Sequence, residues 1–283
     1  MSQGNLRQLL ERARAEGYAV NAFNCADVWD MSAIIAAAEE LRAPVMVAIH
    51  PENFTQLPLE IYAAFGIKMA QEASVPVVLH LDHCTDVEVC KAAVDCGFPS
   101  VMIDASARPL DENIAAVRQV VEYAHPRGCM VEAEMGRIKG VGYEGGYDGE
   151  DYLARVEDCV QIVEETGVDT LAVGIGTAHG YYVGEPKLSF QRLEEIHRAV
   201  SIPLVLHGGT GLPRGDVRRC IAEGICKVNV GTCIASAYMN GMKEELERYG
   251  RNAFIIDLIG TVKADVKKAA QEWIRTCMGD SRG

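Results

Sequence analysis

The stretch HLDHC, residues 80–84, ends an apolar run, VPVVL, that otherwise reads as a buried strand. A carboxylate set between imidazoles can move protons and sit beside a metal ion. Two further apolar runs lead to histidines, IGTAHG (175–180) and PLVLHGGTG (203–211). His83, His179 and His207 would together supply three imidazoles and leave a fourth position open, the arrangement of a catalytic zinc site. The other histidines carry less: His125 and His197 read as surface or packing residues, His80 shares a strand face with Asp82 and can stand behind it, and His50 is ambiguous.

The acids near these histidines have separable duties. Asp82 can transfer protons or orient a hydroxyl, and Asp104 and Glu134 can hold a second or displaced metal. Glu132 and Glu134 alternate along VEAEMG (131–136) and so point the same way. Their plainer reading is a buried acid balanced by Arg137 or Lys139, because an unpaired buried carboxylate is costly. HGGTG (207–211) and NVGT (229–232) offer backbone N–H groups for an anion.

To gather groups so far apart in sequence, the chain needs a fold that brings strand ends together. Eight apolar runs satisfy this: residues 19–24, 43–50, 75–83, 100–106, 130–136, 170–176, 203–209 and 227–232. Their near-continuous apolar character predicts strands covered on both faces, as in a parallel sheet. Amphipathic stretches such as DENIAAVRQVVEYAH and SFQRLEEIHRAV lie between them. Strict alternation of eight strands with helices predicts a (β/α)8 TIM barrel, with its chemistry at the C-terminal strand ends. Phosphate is commonly held in such barrels after strands seven and eight, where the two glycine-rich loops fall. The final segments, CIASAYMNGMKEELERYG and TVKADVKKAAQEWIRTCMG, predict additional C-terminal helices.

A chain of 283 residues without internal repeat or linker is expected to form a single domain over 1–283. Its formal charge of −13 argues against nucleic acid as a partner, since phosphate backbones are held by basic surfaces. No apolar run is long enough to span a membrane and the start lacks a signal-peptide core, so a cytoplasmic protein is expected. The ten cysteines form no C-x-x-C pair and read as reduced core residues.

HLDH (80–83), VEAEMG, IGTAHG, PLVLHGGTG and KVNVGT (227–232) together resemble the class II, zinc-dependent fructose-bisphosphate and tagatose-bisphosphate aldolases, in that family's order and at nearly its spacing. The resemblance runs from Asn21 to about Tyr238. It implies Zn2+ on His83, His179 and His207, with Asp82 as proton-transferring acid and base. It also implies a second divalent metal near Asp104 and Glu134 and a monovalent cation, Na+ or K+, near the phosphate. Contacts to a phosphorylated ketose and to dihydroxyacetone phosphate would come from Gly180, Gly208, Gly209, Thr210, Asn229, Val230, Gly231 and Thr232, with Asn24 and His50 at neighbouring strand ends. The family's loop acid after strand five has its nearest counterpart in Glu144, within a loop shorter and differently spaced than the family's. A homodimer or homotetramer is implied as well.

Two departures bear on the substrate. His50 stands where relatives commonly carry a small hydroxyl residue, and NVGT has glycine where fructose-bisphosphate enzymes often have aspartate. No obvious equivalent of the arginine that reaches the distal phosphate occurs in NAFIIDLIGTVKAD (252–265), although Arg251 lies just upstream. These features suggest a kept first phosphate site and an altered far end, as in an aldolase for a ketose 1-phosphate lacking a standard distal phosphate. A lysine-dependent aldolase finds no lysine in TLAVGIG, and Lys227 is expected near the wrong end of its strand. A non-catalytic sugar-phosphate-binding subunit would not need both the three histidines and Asp82.

Overall fold

The computed structural model describes residues 3–138, 152–182 and 184–279. Helix α1 (Gln3–Glu16) precedes β1 (Val20–Asn24), followed by α2 (Val28–Glu40), β2 (Val45–Ile49), α3 (Leu59–Glu72), β3 (Val77–Cys84) and α4 (Val87–Asp95). Then come β4 (Ser100–Ile103), α5 (Leu110–Ala124), β5 (Met130–Met135), α6 (Val156–Thr166), β6 (Thr170–Val173), α7 (Phe190–Ala199) and β7 (Leu204–Leu206). The chain ends with α8 (Arg214–Ala222), β8 (Ile225–Val230), α9 (Thr232–Tyr249) and α10 (Ile255–Met278). All neighbouring strands pair in parallel and β8 closes on β1, so the fold is a (β/α)8 TIM barrel with additional C-terminal helices.

The apolar alternation explains the layers. Outward side chains such as Val45, Val47, Val101, Val131, Leu171 and Val228 pack into one continuous core with the helices. A smaller cluster fills the N-terminal end, where Leu6, Leu10 and Ala13 of α1 cover Val20, Met46, Val78, Met130 and Cys226 at the starts of their strands. Helix α1 therefore plugs the barrel floor and leaves the opposite mouth open. None of the described helices is long and apolar enough to cross a membrane.

One strand departs from regular pairing, and it carries the chemistry. Between Leu81↔Val101 and Cys84↔Ile103, β3 advances three residues while β4 advances two. His83 takes up the extra residue with φ +47, a left-handed backbone unusual for a non-glycine residue. Strict alternation would send Asp82 and His83 to opposite faces of the sheet; the bulge re-aims His83, so both line the same cavity.

Candidate active site

The open mouth holds a cavity of about 370 Å³ lined by Asn24, His50, Asp82, His83, His179, Gly180, Gly208, Gly209, Thr210, Asn229, Gly231 and Thr232, together with Glu52. Of the expected substrate contacts, Val230 is the one whose side chain lies elsewhere. It is fully buried in the core outside the barrel, because alternation along β8 turns Asn229 inward and Val230 outward. Glu144 falls outside the described residues.

Three imidazoles converge here. The His83 ring centroid lies 4.5 Å from that of His207 and 5.0 Å from that of His179, and their candidate ligand atoms all fall within 4.8 Å of one another. His83 Nε2 faces His207 Nδ1 at 2.8 Å. The other nitrogen of each ring meets a carboxylate: His83 Nδ1 lies 3.0 Å from Asp104 Oδ2, and His207 Nε2 lies 3.0 Å from Glu132 Oε1. Carboxylates behind histidines fix the tautomer that presents the opposite nitrogen to a metal. Burial and the charge of His83 hold His179 down to about 3 and His207 below the usual histidine range.

Asp104 and Glu134 stand next to this point. Ser106 Oγ donates to Asp104 Oδ1 at 2.7 Å and to Glu134 Oε1 at 3.3 Å, while the buried Glu134 Oε2 has no hydrogen-bond partner. Burial and the neighbouring Asp104 push the Glu134 carboxyl well above its ordinary range. Burial acts the same way on Asp104, but the hydrogen bond and charge of His83 prevail and hold it down to about 2. An orphaned carboxylate oxygen beside three imidazoles is a donor set that suits a divalent ion. His83, Asp104 and Glu134 form a second group of the same kind, with ligand atoms within 4.8 Å of one another.

Asp82 is held on several sides. Asn24 Nδ2 donates to its Oδ2 at 2.7 Å, Asn229 Nδ2 reaches its two oxygens at 3.0 and 3.2 Å, and His80 Nε2 is 3.6 Å from Oδ1. Burial opposes its charge, yet His83 and the His80 contact hold the carboxyl well below the usual range, so Asp82 is ionised in this site.

Among the described residues, the cation that balances Glu132 is not Arg137. Arg137 donates to the Ala107 carbonyl, and Lys139 lies outside the described residues. Instead Lys227 Nζ donates to both Glu132 oxygens at 2.8 Å. Burial alone would raise the Glu132 carboxyl; the charge of Lys227 and the His207 hydrogen bond outweigh it and keep the group ionised. Lys227 is thus an interior residue, but it is committed to a carboxylate and does not line the cavity, which leaves it no place in Schiff-base chemistry. Its inward direction was legible in the alternation of KVNV, since Lys227 and Asn229 share a face.

The glycine-rich loops approach one another closely. Gly208 has φ +70, and a Cβ there would run into the Ala178 carbonyl. At Gly231 a Cβ would come within 2.8 Å of Asn24 Oδ1, so a larger residue would displace a side chain that holds Asp82. Tyr182 OH ties these loops together, accepting from Ala178 N at 2.7 Å and donating to the Gly208 carbonyl at 3.2 Å.

Residues 4–282 match the family described as fructose-bisphosphate aldolase class-II. The chain belongs to the class II aldolase family. It is 40% identical over 276 residues to a 6-phospho-5-dehydro-2-deoxy-D-gluconate aldolase of Bacillus licheniformis, covering 95% of this chain and 94% of that one. Among solved structures, the YdjI aldolase of Escherichia coli K12 superposes with a TM-score of 0.86 at 32% identity, covering 98% of this chain and 97% of that one. A putative fructose-1,6-bisphosphate aldolase from Coccidioides immitis gives 0.87 at 32% identity, covering 98% and 96%.

As a class II aldolase, the chain has a cavity without lysine or arginine among its described lining residues. Arg251, the sequence candidate for the far end of the substrate, is exposed between α9 and α10 and does not line it. Glu52, which the sequence reading passed over, adds an acid there; it follows Pro51 directly after β2, and its N–H donates to His50 Nδ1 at 3.3 Å.

Proposed function

We propose that this aldolase cleaves a ketose phosphate by a zinc-dependent retro-aldol reaction, releasing dihydroxyacetone phosphate, and that its substrate ends in a carboxylate rather than a second phosphate. The observation that carries the reading is the one-sidedness of the cavity. Backbone-rich loops at Gly180, Gly208–Thr210 and Gly231–Thr232 offer one phosphate cradle, whereas His50 and Glu52 line the wall with no lysine or arginine beside them among the described residues. A dianionic phosphate at a second end would be more costly without such a cation than a singly charged carboxylate, because the cost of unpaired charge rises steeply with its size. The substrate named for the Bacillus licheniformis relative has this shape: a ketone next to a phosphorylated carbon at one end and a carboxylate at the other.

On such a substrate Asp82 would take the proton of the hydroxyl two carbons from the ketone as the C3–C4 bond breaks, leaving malonate semialdehyde and the three-carbon phosphate. Asn24 and Asn229 hold that carboxylate in place, and the glycine loops fix the phosphate end so that the hydroxyl meets it. His83, His179 and His207 would hold a divalent ion, which would supply Lewis-acid polarisation of the ketone. The carbon left behind must gain a proton, for which Glu144 remains our candidate.

The test is release of dihydroxyacetone phosphate from 6-phospho-5-dehydro-2-deoxygluconate and from fructose and tagatose 1,6-bisphosphates, with and without a chelator. We expect chelator-sensitive release and a kcat/KM about 100-fold higher for the carboxylate-ended substrate. Equal rates on either bisphosphate would overturn the assignment of the far end, and release that survives exhaustive chelation would overturn the metal.

A further inference from the structure

Beneath the metal-facing histidines, the described barrel interior contains a third group of potential ligands, His80, Asp82 and Glu132, with ligand atoms within 4.8 Å of one another. A protein cation already occupies this layer. Lys227 Nζ lies 2.8 Å from both Glu132 oxygens and 3.4 Å from His80 Nε2, and its side chain is 1% exposed. Each of these two neighbours leads to a different part of the site. Glu132 Oε1 meets His207 Nε2 at 3.0 Å, opposite the nitrogen that faces His83, and Glu132 Oε2 accepts from Thr170 Oγ1 at 3.2 Å. His80 Nε2 stands 3.6 Å from Asp82 Oδ1, and its other nitrogen is fixed by Ser100 Oγ at 2.8 Å.

We propose that Lys227 is a positioning residue, a fixed internal cation that sets the orientation of His207 through Glu132. The inference builds on the metal-site reading above. The chemistry follows from the donors available. An ammonium has three donors and no acceptor, so two of them pin both oxygens of Glu132 and the third faces the His80 ring. A carboxylate pinned in this way accepts from His207 Nε2–H, and the tautomer with that proton turns a bare Nδ1 toward the cavity. Strand β8 thereby braces the site twice, with Lys227 beneath the ligand and Asn229 directly on Asp82.

A simpler role would be charge compensation for Glu132 alone, and the two roles separate by experiment. Lys227→Met removes the cation but leaves a buried carboxylate unpaired, and it could fail to fold. The double variant Lys227→Met/Glu132→Gln removes both charges at nearly constant volume and keeps an acceptor that His207 can use. Folding is followed by circular dichroism and melting, and metal affinity by competition of the purified apoprotein with a chromophoric chelator. The geometry of the bound metal is read from the visible spectrum of the Co2+ form, and turnover is measured at saturating metal. We expect the folded double variant to bind Zn2+ about 10–100-fold more weakly, to show an altered Co2+ spectrum, and to lose kcat with little change in KM. A double variant that melts like wild type and keeps wild-type affinity, spectrum and kcat would reduce Lys227 to a charge balance and overturn the proposal. Wild-type protein that binds neither Zn2+ nor Co2+ would instead overturn the metal-site reading, and this inference with it.

Discussion

Two buried acids, Asp169 at the floor and Glu134 at the mouth, are handled in opposite ways. At the floor Asp169 is fully buried and completely used: Arg7 of α1 holds one oxygen, and His125 Nε2 at 2.9 Å and the Val131 N–H at 2.7 Å hold the other. Around it α1 contributes Leu6 and Leu10 to an apolar plug. At the mouth, Glu134 Oε2, Asn229 Oδ1 and Thr177 Oγ1 are buried without a partner, and His83 sits in a backbone conformation that costs free energy. Satisfied polar groups stabilise a fold, while unsatisfied ones are retained where something else is to bind. The floor therefore serves stability and the mouth serves chemistry, as expected for this barrel architecture.

The contrast is best broken from the mouth. Asp82→Asn removes the proton acceptor but keeps a side chain that Asn24 can still contact. It should lower kcat about 1,000-fold while the melting temperature changes far less than on loss of a floor contact, because the plug and the core are untouched. A melting temperature that falls as far as on loss of a floor contact would mean that Asp82 also holds the fold, and the division between the two ends would be lost. The floor should answer in reverse. Asp169→Asn leaves one of the three donors without an acceptor and should cost about 1–3 kcal/mol in urea unfolding, with kcat/KM unchanged at temperatures where the variant is folded. A fall in kcat/KM for that variant would show that the floor is coupled to the mouth.

How much of this could be read from sequence differs in the same way between particular residues. The eight strands and the meeting of His83, His179 and His207 were legible, because apolar runs and strand-end polar residues are local signals that the barrel topology then gathers. His83 was placed at the strand end for an incomplete reason, since alternation along β3 sends it outward and only the bulge turns it in. Bulges depend on how two strands register, which neither strand encodes alone. The Lys227–Glu132 pair was missed although each residue's facing was readable, because pairing across the barrel joins positions 95 residues apart. Val230 shows the limit of carrying a motif over whole: alternation turns its side chain into the core, so a contact from it to a ligand would have to come from its backbone.

The smallest expected effect lies at the mouth and concerns Asp30, at the start of α2. Its carboxylate accepts from the N–H groups of Ala26 at 2.6 Å and Asp27 at 3.1 Å, contacts that favour the charged form. Burial outweighs them, with the nearby Asp27 adding repulsion, and the carboxyl is pushed up to about 7. An unfolded aspartate titrates near 3.9, so the folded state binds this proton more tightly and is favoured by it at low pH. The contribution is complete below about pH 4 and is lost as pH rises through about 7. Asp30→Asn keeps an acceptor for one of the backbone donors but cannot ionise. Between pH 5 and 8 the wild type should therefore lose about 1–2 kcal/mol relative to this variant, read as the difference between their urea midpoints across the range. Only the difference is informative, since every other titrating group is common to both proteins. Parallel midpoints would mean that Asp30 is ionised in the folded protein at little cost, and that the burden of buried charge at the mouth is confined to the metal-facing residues.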